Sequence, residues 1–285
     1  MPEALQLLRS APTGIGWAPL GINVATQGMY VGVAALGVSF LLAPFGGPTV
    51  PALLLGAPGE PAAIWPAEAL LGAGVAVLSL RRGGFFDTRD AEGTATLEYG
   101  AAQAEQMRPL YEITGGEARL PAALGAILVW QLAIATAEEL YYRGLVQSAV
   151  RMLSSAILPG GGAEGLPSLV ASGRLALVEA LALVVGAVLF GLVHTEFVGD
   201  ASAMADATAA GEEGGSAADE KAEWFRVTAT YGALYGLLHS LSGHRLAAPI
   251  CAHAGFNIGL CVRDWGRMRR TGDEELTRIF APAPR

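Results

Sequence analysis

The sequence predicts an all-α fold: a polytopic integral membrane helix bundle with about six transmembrane helices. Three observations carry this. First, 52% of the 285 residues are hydrophobic and only 15% are Asp, Glu, Lys or Arg, whereas soluble domains carry roughly 25% charged residues. Second, the mean hydropathy is +0.43. Third, the charges are bunched, with none between Arg9 and Glu60. Intrinsic disorder is excluded, because disordered chains are charged and poor in apolar residues. A net charge of -8 without a basic stripe argues against nucleic-acid binding. Two cysteines rule out a disulfide scaffold.

A membrane span needs about 20 mostly apolar residues, because roughly 30 Å of hydrocarbon is crossed at about 1.5 Å per residue. Trp17–Ala43 is long enough, and Ala62–Leu80, Leu120–Leu153, Leu175–Phe197, Trp224–Leu241 and Leu246–Val262 complete six. Val50–Leu55 fits either a re-entrant or an interfacial piece and is left open. The N-terminus is read as the first span rather than a signal peptide, since Glu3 accompanies Arg9 and the apolar run is too long for an h-region. The alternating pattern of a membrane barrel is absent. Between spans, Arg81–Arg119 is polar with a short surface helix around Leu97–Met107. Pro159–Gly173 reads as irregular and Gly199–Glu223 as a mobile acidic loop. Gly and Ala recur within the spans, which suits close helix contacts in lipid.

Positive charge orients the chain. With six spans, one side holds Arg9, Arg81, Arg82, Arg89, Arg108, Arg119, Lys221 and Arg226. The tail adds Arg263, Arg267, Arg269, Arg270, Arg278 and Arg285 to that side, and the other side has only Arg151, Arg174 and Arg245. Both termini are therefore expected in the cytoplasm.

Ionisable residues inside a bilayer cost at least about 2.5 kcal/mol at mid-depth and so need a reason. The third span contains Glu138-Glu139-Leu140-Tyr141-Tyr142-Arg143, the fourth Phe190 and His194, and the sixth His253 and Asn257. Glu139 and Arg143 are i, i+4 and can pair on one face, which leaves Glu138 free to point elsewhere. Phe190 with His194, and His253 with Asn257, share the same spacing. If the third helix leaves the membrane near Leu153 and the fourth enters near Glu179, Glu138 and His194 both lie about 22 Å from the external face. Asn257 falls at a similar depth. This alignment requires the third helix to continue past Arg143.

A carboxylate and a histidine together can deprotonate a water that attacks a carbonyl. A second histidine and an asparagine can donate hydrogen bonds to the oxyanion. Alternatively, Glu138, His194 and His253 could bind zinc, which takes N and O ligands and keeps a position for water; no HExxH element is present. Glu68 and Gln27 are span residues without an assigned partner. His239 reads as a span residue, His244 and Glu179 as interface residues, and Cys251 and Cys261 as small packers too far apart to bridge.

Glu-Glu-x-x-x-Arg, Phe-x-x-x-His and His-x-x-x-Asn, in this order and within helices, resemble the CPBP intramembrane protease family. That family includes the type II CAAX prenyl endopeptidases and the bacterial Abi, bacteriocin-processing and self-immunity proteins. The likeness covers about Pro121–Leu260, with Gly144 after Arg143 and Leu246-Ala247-Ala248-Pro249-Ile250 ahead of His253. It implies Glu138 as catalytic base, His194 as partner in water activation, and His253 and Asn257 at the oxyanion site. Glu139, Arg143 and Phe190 would support the site. The family is labelled metalloprotease, and a metal-free glutamate mechanism has also been proposed for it, so zinc stays open.

The resulting expectation has three parts: a two-span region with its cytoplasmic loop over 1–120, a catalytic core over 121–262, and a cytoplasmic basic tail over 263–285. The substrate would be a protein or peptide entering from the cytoplasmic leaflet of a bacterial inner membrane. Two other classes fit less of the pattern. One is a non-catalytic scaffold or immunity protein of the same fold. The other is a proton-coupled transporter, for which the inverted repeat common in transporters is missing.

Overall fold

The computed structural model describes residues 17–55, 64–82, 120–158, 168–206 and 217–270. Every regular element among them is helical. Helix α1 (Trp17–Gly37) runs on through a π turn (Val38–Leu42) and a 3₁₀ turn (Ala43–Phe45). It stops where Gly46 adopts φ +79°, the left-handed conformation that lets Gly47 N–H reach back to the Leu42 carbonyl at 2.9 Å. Short helix α2 (Val50–Leu55) and helix α3 (Ile64–Arg82) come next. Helix α4 (Leu120–Glu139), a π segment (Leu140–Gln147) and α5 (Ser148–Ile157) form one uninterrupted rod, so the third helix does continue past Arg143. Helices α6 (Ser168–Asp206), α7 (Ala217–Leu241) and α8 (Ala247–Arg270) complete the bundle.

Among the described residues, length and composition single out three stretches as able to cross a membrane: Ala25–Phe45, Ile64–Arg81 and Ser172–Thr195. These coincide with the first, second and fourth expected spans. The third, fifth and sixth expected spans are also full-length helices, and they carry most of the polar side chains of the site. The outer faces are apolar and bare: Phe40 is 71% exposed and Leu70 74%, the surface a lipid phase would cover.

Two sequence expectations need correction. Pro159–Gly173 is not irregular throughout, because α6 begins at Ser168; residues 159–167 lie outside the described set. Gly199–Glu223 is not a loop throughout either, because α6 extends to Asp206 and α7 starts at Ala217. Residues 168–173 are carried as the first turns of a long apolar helix, and the Ala-rich stretches 199–206 and 217–223 add helix propensity to that continuity. The surface helix expected around Leu97–Met107 lies outside the described residues.

Small residues set the helix spacing. Helix α6 packs along α7, and α3 along α8. A Cβ on Gly72 of α3 would overlap the Ala248 carbonyl oxygen of α8, and one on Gly232 of α7 would lie 3.1 Å from the Ala187 backbone of α6. Such close approach is how helices associate where lipid removes the hydrophobic drive. Helix α2 proves to be a wedge. Leu53 is buried with Ala34, Val38, Leu42, Leu140 and Leu246, and its carbonyl accepts the Leu246 N–H at 2.8 Å.

Candidate active site

The site begins at the junction of α4 and the π segment. A π turn is rare, and its extra residue shifts the register of the helix beyond it, which is why such turns concentrate at functional sites. Here the Ser148 hydroxyl donates to the Arg143 carbonyl at 3.1 Å. Glu139 and Arg143 are both buried, and the pair closes with Nε 3.1 Å from Oε2. Arg143 then ties three helices: Nη2 donates to the Gly232 carbonyl of α7 at 2.7 Å, and the guanidinium lies 4.8 Å from the centre of the Phe190 ring of α6. Nη1 is buried with no hydrogen-bond partner among the described residues, so the buried charge is compensated by the Glu139 carboxylate, the Gly232 carbonyl and the ring face.

The two histidines are fixed by their Nδ1 atoms. His194 Nδ1 lies 2.7 Å from the Phe190 carbonyl. His253 Nδ1 lies 2.8 Å from Glu139 Oε1. Both partners can only accept, so each Nδ1 carries its hydrogen. In the neutral ring each Nε2 is then a lone pair. Those two Nε2 atoms face one oxygen: Glu138 Oε2 lies 3.5 Å from His194 and 3.7 Å from His253. That oxygen is buried and has no hydrogen-bond donor among the described residues, although the Glu138 side chain as a whole is 26% exposed. Three acceptors therefore meet at one point, an arrangement that needs a proton or a donor to complete it. The rings are held by stacking: Phe190 on His194 at 4.2 Å, Tyr235 on His253 at 4.9 Å and 17°.

Glu138, Glu139, Arg143, Phe190, His194 and His253 are thus brought together from α4, the π segment, α6 and α8. Asn257 lies one turn beyond His253 on α8, half-buried, and its amide makes no hydrogen bond to the described residues of the cluster. Tyr235 is a site residue that sequence reasoning misses, because a lone span tyrosine carries no motif. Its spacing of four from Tyr231, with which it shares a tilted ring contact at 6.0 Å, is the available signal. Glu68 also has a partner that sequence does not supply: Arg245 of the α7–α8 turn, whose Nε donates to Oε1 at 2.7 Å.

Polar groups continue away from the cluster along the π segment and α5 at intervals of four: Glu139, Arg143, Gln147 and Arg151. Gln147 Nε2 donates to the Ser240 hydroxyl at 3.3 Å, and Ser240 donates to Glu179 at 3.0 Å. At that far end His244 sits in the turn with φ 67°. Its Nε2 is 3.5 Å from Glu179. Burial, then the Arg151 charge, lower its pKa against the opposing pull of Glu179. Cys251 and Cys261 are both free thiols, and Cys261 accepts from Gln131 at 3.2 Å.

Zinc takes nitrogen and oxygen ligands at about 2.0–2.2 Å. Among the described residues, no three His, Cys, Asp or Glu side chains are grouped so as to hold a metal ion.

Comparison with known proteins adds one positive result. No curated protein and no solved structure matches the chain. The family model described as type II CAAX prenyl endopeptidase, Rce1-like, matches residues 120–259, the stretch from the start of α4 to the middle of α8 that contains every side chain of the cluster. Through this core the chain is similar to the Rce1-like type II CAAX prenyl endopeptidases, which supports membership of the CPBP family.

Proposed function

We propose that the protein is an intramembrane endopeptidase that hydrolyses a peptide bond with water activated by Glu138 and His194. The observation that carries this reading is the convergence of His194 Nε2 and His253 Nε2 on the one unpartnered oxygen of Glu138. A water bound to Glu138 Oε2 and His194 Nε2 gives its proton to the carboxylate as its oxygen attacks the substrate carbonyl. The carbonyl oxygen becomes an oxyanion. His253, protonated at Nε2 and balanced by Glu139, donates to it, and Asn257 supplies a second donor from the next turn. Glu138 passes its proton to the leaving nitrogen, the C–N bond breaks, and an acid and an amine depart.

In this reading all six long helices cross the membrane, and both termini lie in the cytoplasm. The substrate is a protein or peptide reaching the cluster from the cytoplasmic leaflet of a bacterial inner membrane. The arginine bias between the two sides supports the orientation.

The test compares the membrane proteome of cells carrying wild type with that of cells carrying Glu138→Gln. Accumulation of a discrete uncut precursor in the variant is expected, together with cleavage of that precursor by purified wild type in liposomes. Identical proteomes, with full complementation by Glu138→Gln, would instead mark a non-catalytic scaffold.

A further inference from the structure

A cavity lies at the far end of the bundle from Glu138. It has a volume of about 1210 Å³ and is lined by the turns that end the first helix, residues 46–48, α2, α5, α6 and the α7–α8 turn. Along α6, Glu179 at this cavity is about 22 Å from His194, at about 1.5 Å per residue. The buried cluster around Leu53, Leu140 and Leu246 stands between the two sites, since Leu53 lines the cavity while Leu140 is the next residue after Glu139. The cavity is therefore not an extension of the catalytic cluster.

Its lining has two characters. One wall is apolar and borders the outer surface: Leu41, Phe45, Leu153 and Leu175 are all more than half exposed while lining it. The other wall carries charge. Arg245 is already held by Glu68. Arg151 is held by charge alone: its guanidinium pairs with Glu179 at 3.7 Å, beyond hydrogen-bond range, and makes no hydrogen bond among the described residues. Glu179 has closer company in the Ser240 hydroxyl at 3.0 Å. A planar five-donor fork with unused donors, at the polar end of an apolar trough that opens sideways, matches a phosphodiester bearing acyl chains.

We propose that this cavity is a binding site for an anionic phospholipid, with its phosphate on Arg151 and one acyl chain along Leu41, Phe45, Leu153 and Leu175. Open lateral access favours a lipid over a water-borne anion, because the apolar wall would otherwise face hydrocarbon with nothing to fill the trough. The polar series from Arg151 through Gln147 and Arg143 to Glu139 leads from this headgroup position to the catalytic cluster, so an occupant is felt along the same helix that carries Glu138.

Native mass spectrometry of the delipidated full chain in detergent tests this, with dioleoylphosphatidylglycerol, dioleoylphosphatidylcholine and inorganic phosphate as probes. The first phosphatidylglycerol is expected to bind wild type more tightly than phosphatidylcholine does. Arg151→Gln is expected to weaken that first adduct about tenfold. Ala156→Trp, which fills the trough from α5 without touching the guanidinium, should weaken it as well. Arg81→Gln, on an exposed arginine of α3, should not. Equal retention by wild type and both cavity variants overturns the proposal, and so does displacement of the adduct by inorganic phosphate, which would mark a free-anion site. The readout is binding, so it stands or falls separately from the peptidase reading.

Discussion

Glu139 holds His253: the two are buried, on different helices, and Nδ1 sits 2.8 Å from Oε1 while the other carboxylate oxygen faces Arg143 at 3.1 Å. One carboxylate thereby fixes a histidine tautomer and neutralises a buried guanidinium. Tautomer and charge can be separated experimentally.

In Glu139→Gln the amide oxygen still accepts from His253 Nδ1, but the negative charge is gone. The imidazolium that donates to the oxyanion loses its counter-charge, so kcat is expected to fall about 10²-fold with little change in KM. Stability falls too, because breaking a buried pair costs about 3–5 kcal/mol. Adding Arg143→Met removes the stranded charge and should recover most of the thermal midpoint. Activity should not return. Steady-state kinetics and thermal unfolding on the single and double variants check this; recovery of both together would reduce Glu139 to a structural role.

Much of this cluster is legible in sequence because bilayers penalise charge. Glu138, Glu139 and Arg143 stand out from an apolar background, and i, i+4 spacing yields the Glu139–Arg143 pair directly. Depth alone brings His194 to the level of Glu138. Depth does not supply direction. The π segment after Glu139 changes the angular position of every later residue, and nothing in Leu140–Gln147 announces it. Spacing reports on only one helix, so it pairs Glu139 with Arg143 alone, although the second carboxylate oxygen takes His253. Glu68 and Arg245 are 177 positions apart, a pairing that no local pattern encodes. The loops fail in the opposite sense. Residues 168–173 read as irregular from nearby Gly and Pro, and Gly199–Glu223 as loop from its acidity, while continuity with α6 and α7 makes 168–173, 199–206 and 217–223 helical.

The spacing of α3 and α8 yields a sharp contrast within one helix. Gly72 has no room for a side chain: its Cβ would overlap the Ala248 carbonyl oxygen and lie 2.9 Å from the Ala252 nitrogen. Backbone cannot move aside as a side chain can, so Gly72→Ala is expected to destabilise by about 1–3 kcal/mol. Gly74, on the same helix, has nothing within 4 Å. Gly74→Ala should be neutral or stabilising by up to about 1 kcal/mol, since alanine is the better helix former. Thermal unfolding in one detergent decides between them; equal midpoints would mean that the two helices do not pack at this register.

The three acceptors that meet at Glu138 Oε2 need a proton or a cation to complete them. Each Nδ1 is committed to an acceptor, so both Nε2 lone pairs and the carboxylate share one small volume. A proton on His253 Nε2 satisfies this arrangement and leaves Glu138 a carboxylate, the state from which a general base works. A divalent ion would satisfy it in a different way, by taking both Nε2 atoms as ligands and lowering the pKa of a bound water. The two alternatives respond oppositely to chelation. On the proton reading, protein dialysed against a strong zinc chelator keeps its cleavage rate, and added zinc does not raise the rate, because an ion on the lone pairs would block the base. Loss of activity on chelation, restored in proportion to added zinc up to one equivalent, would overturn the general-base mechanism while leaving the residues in place.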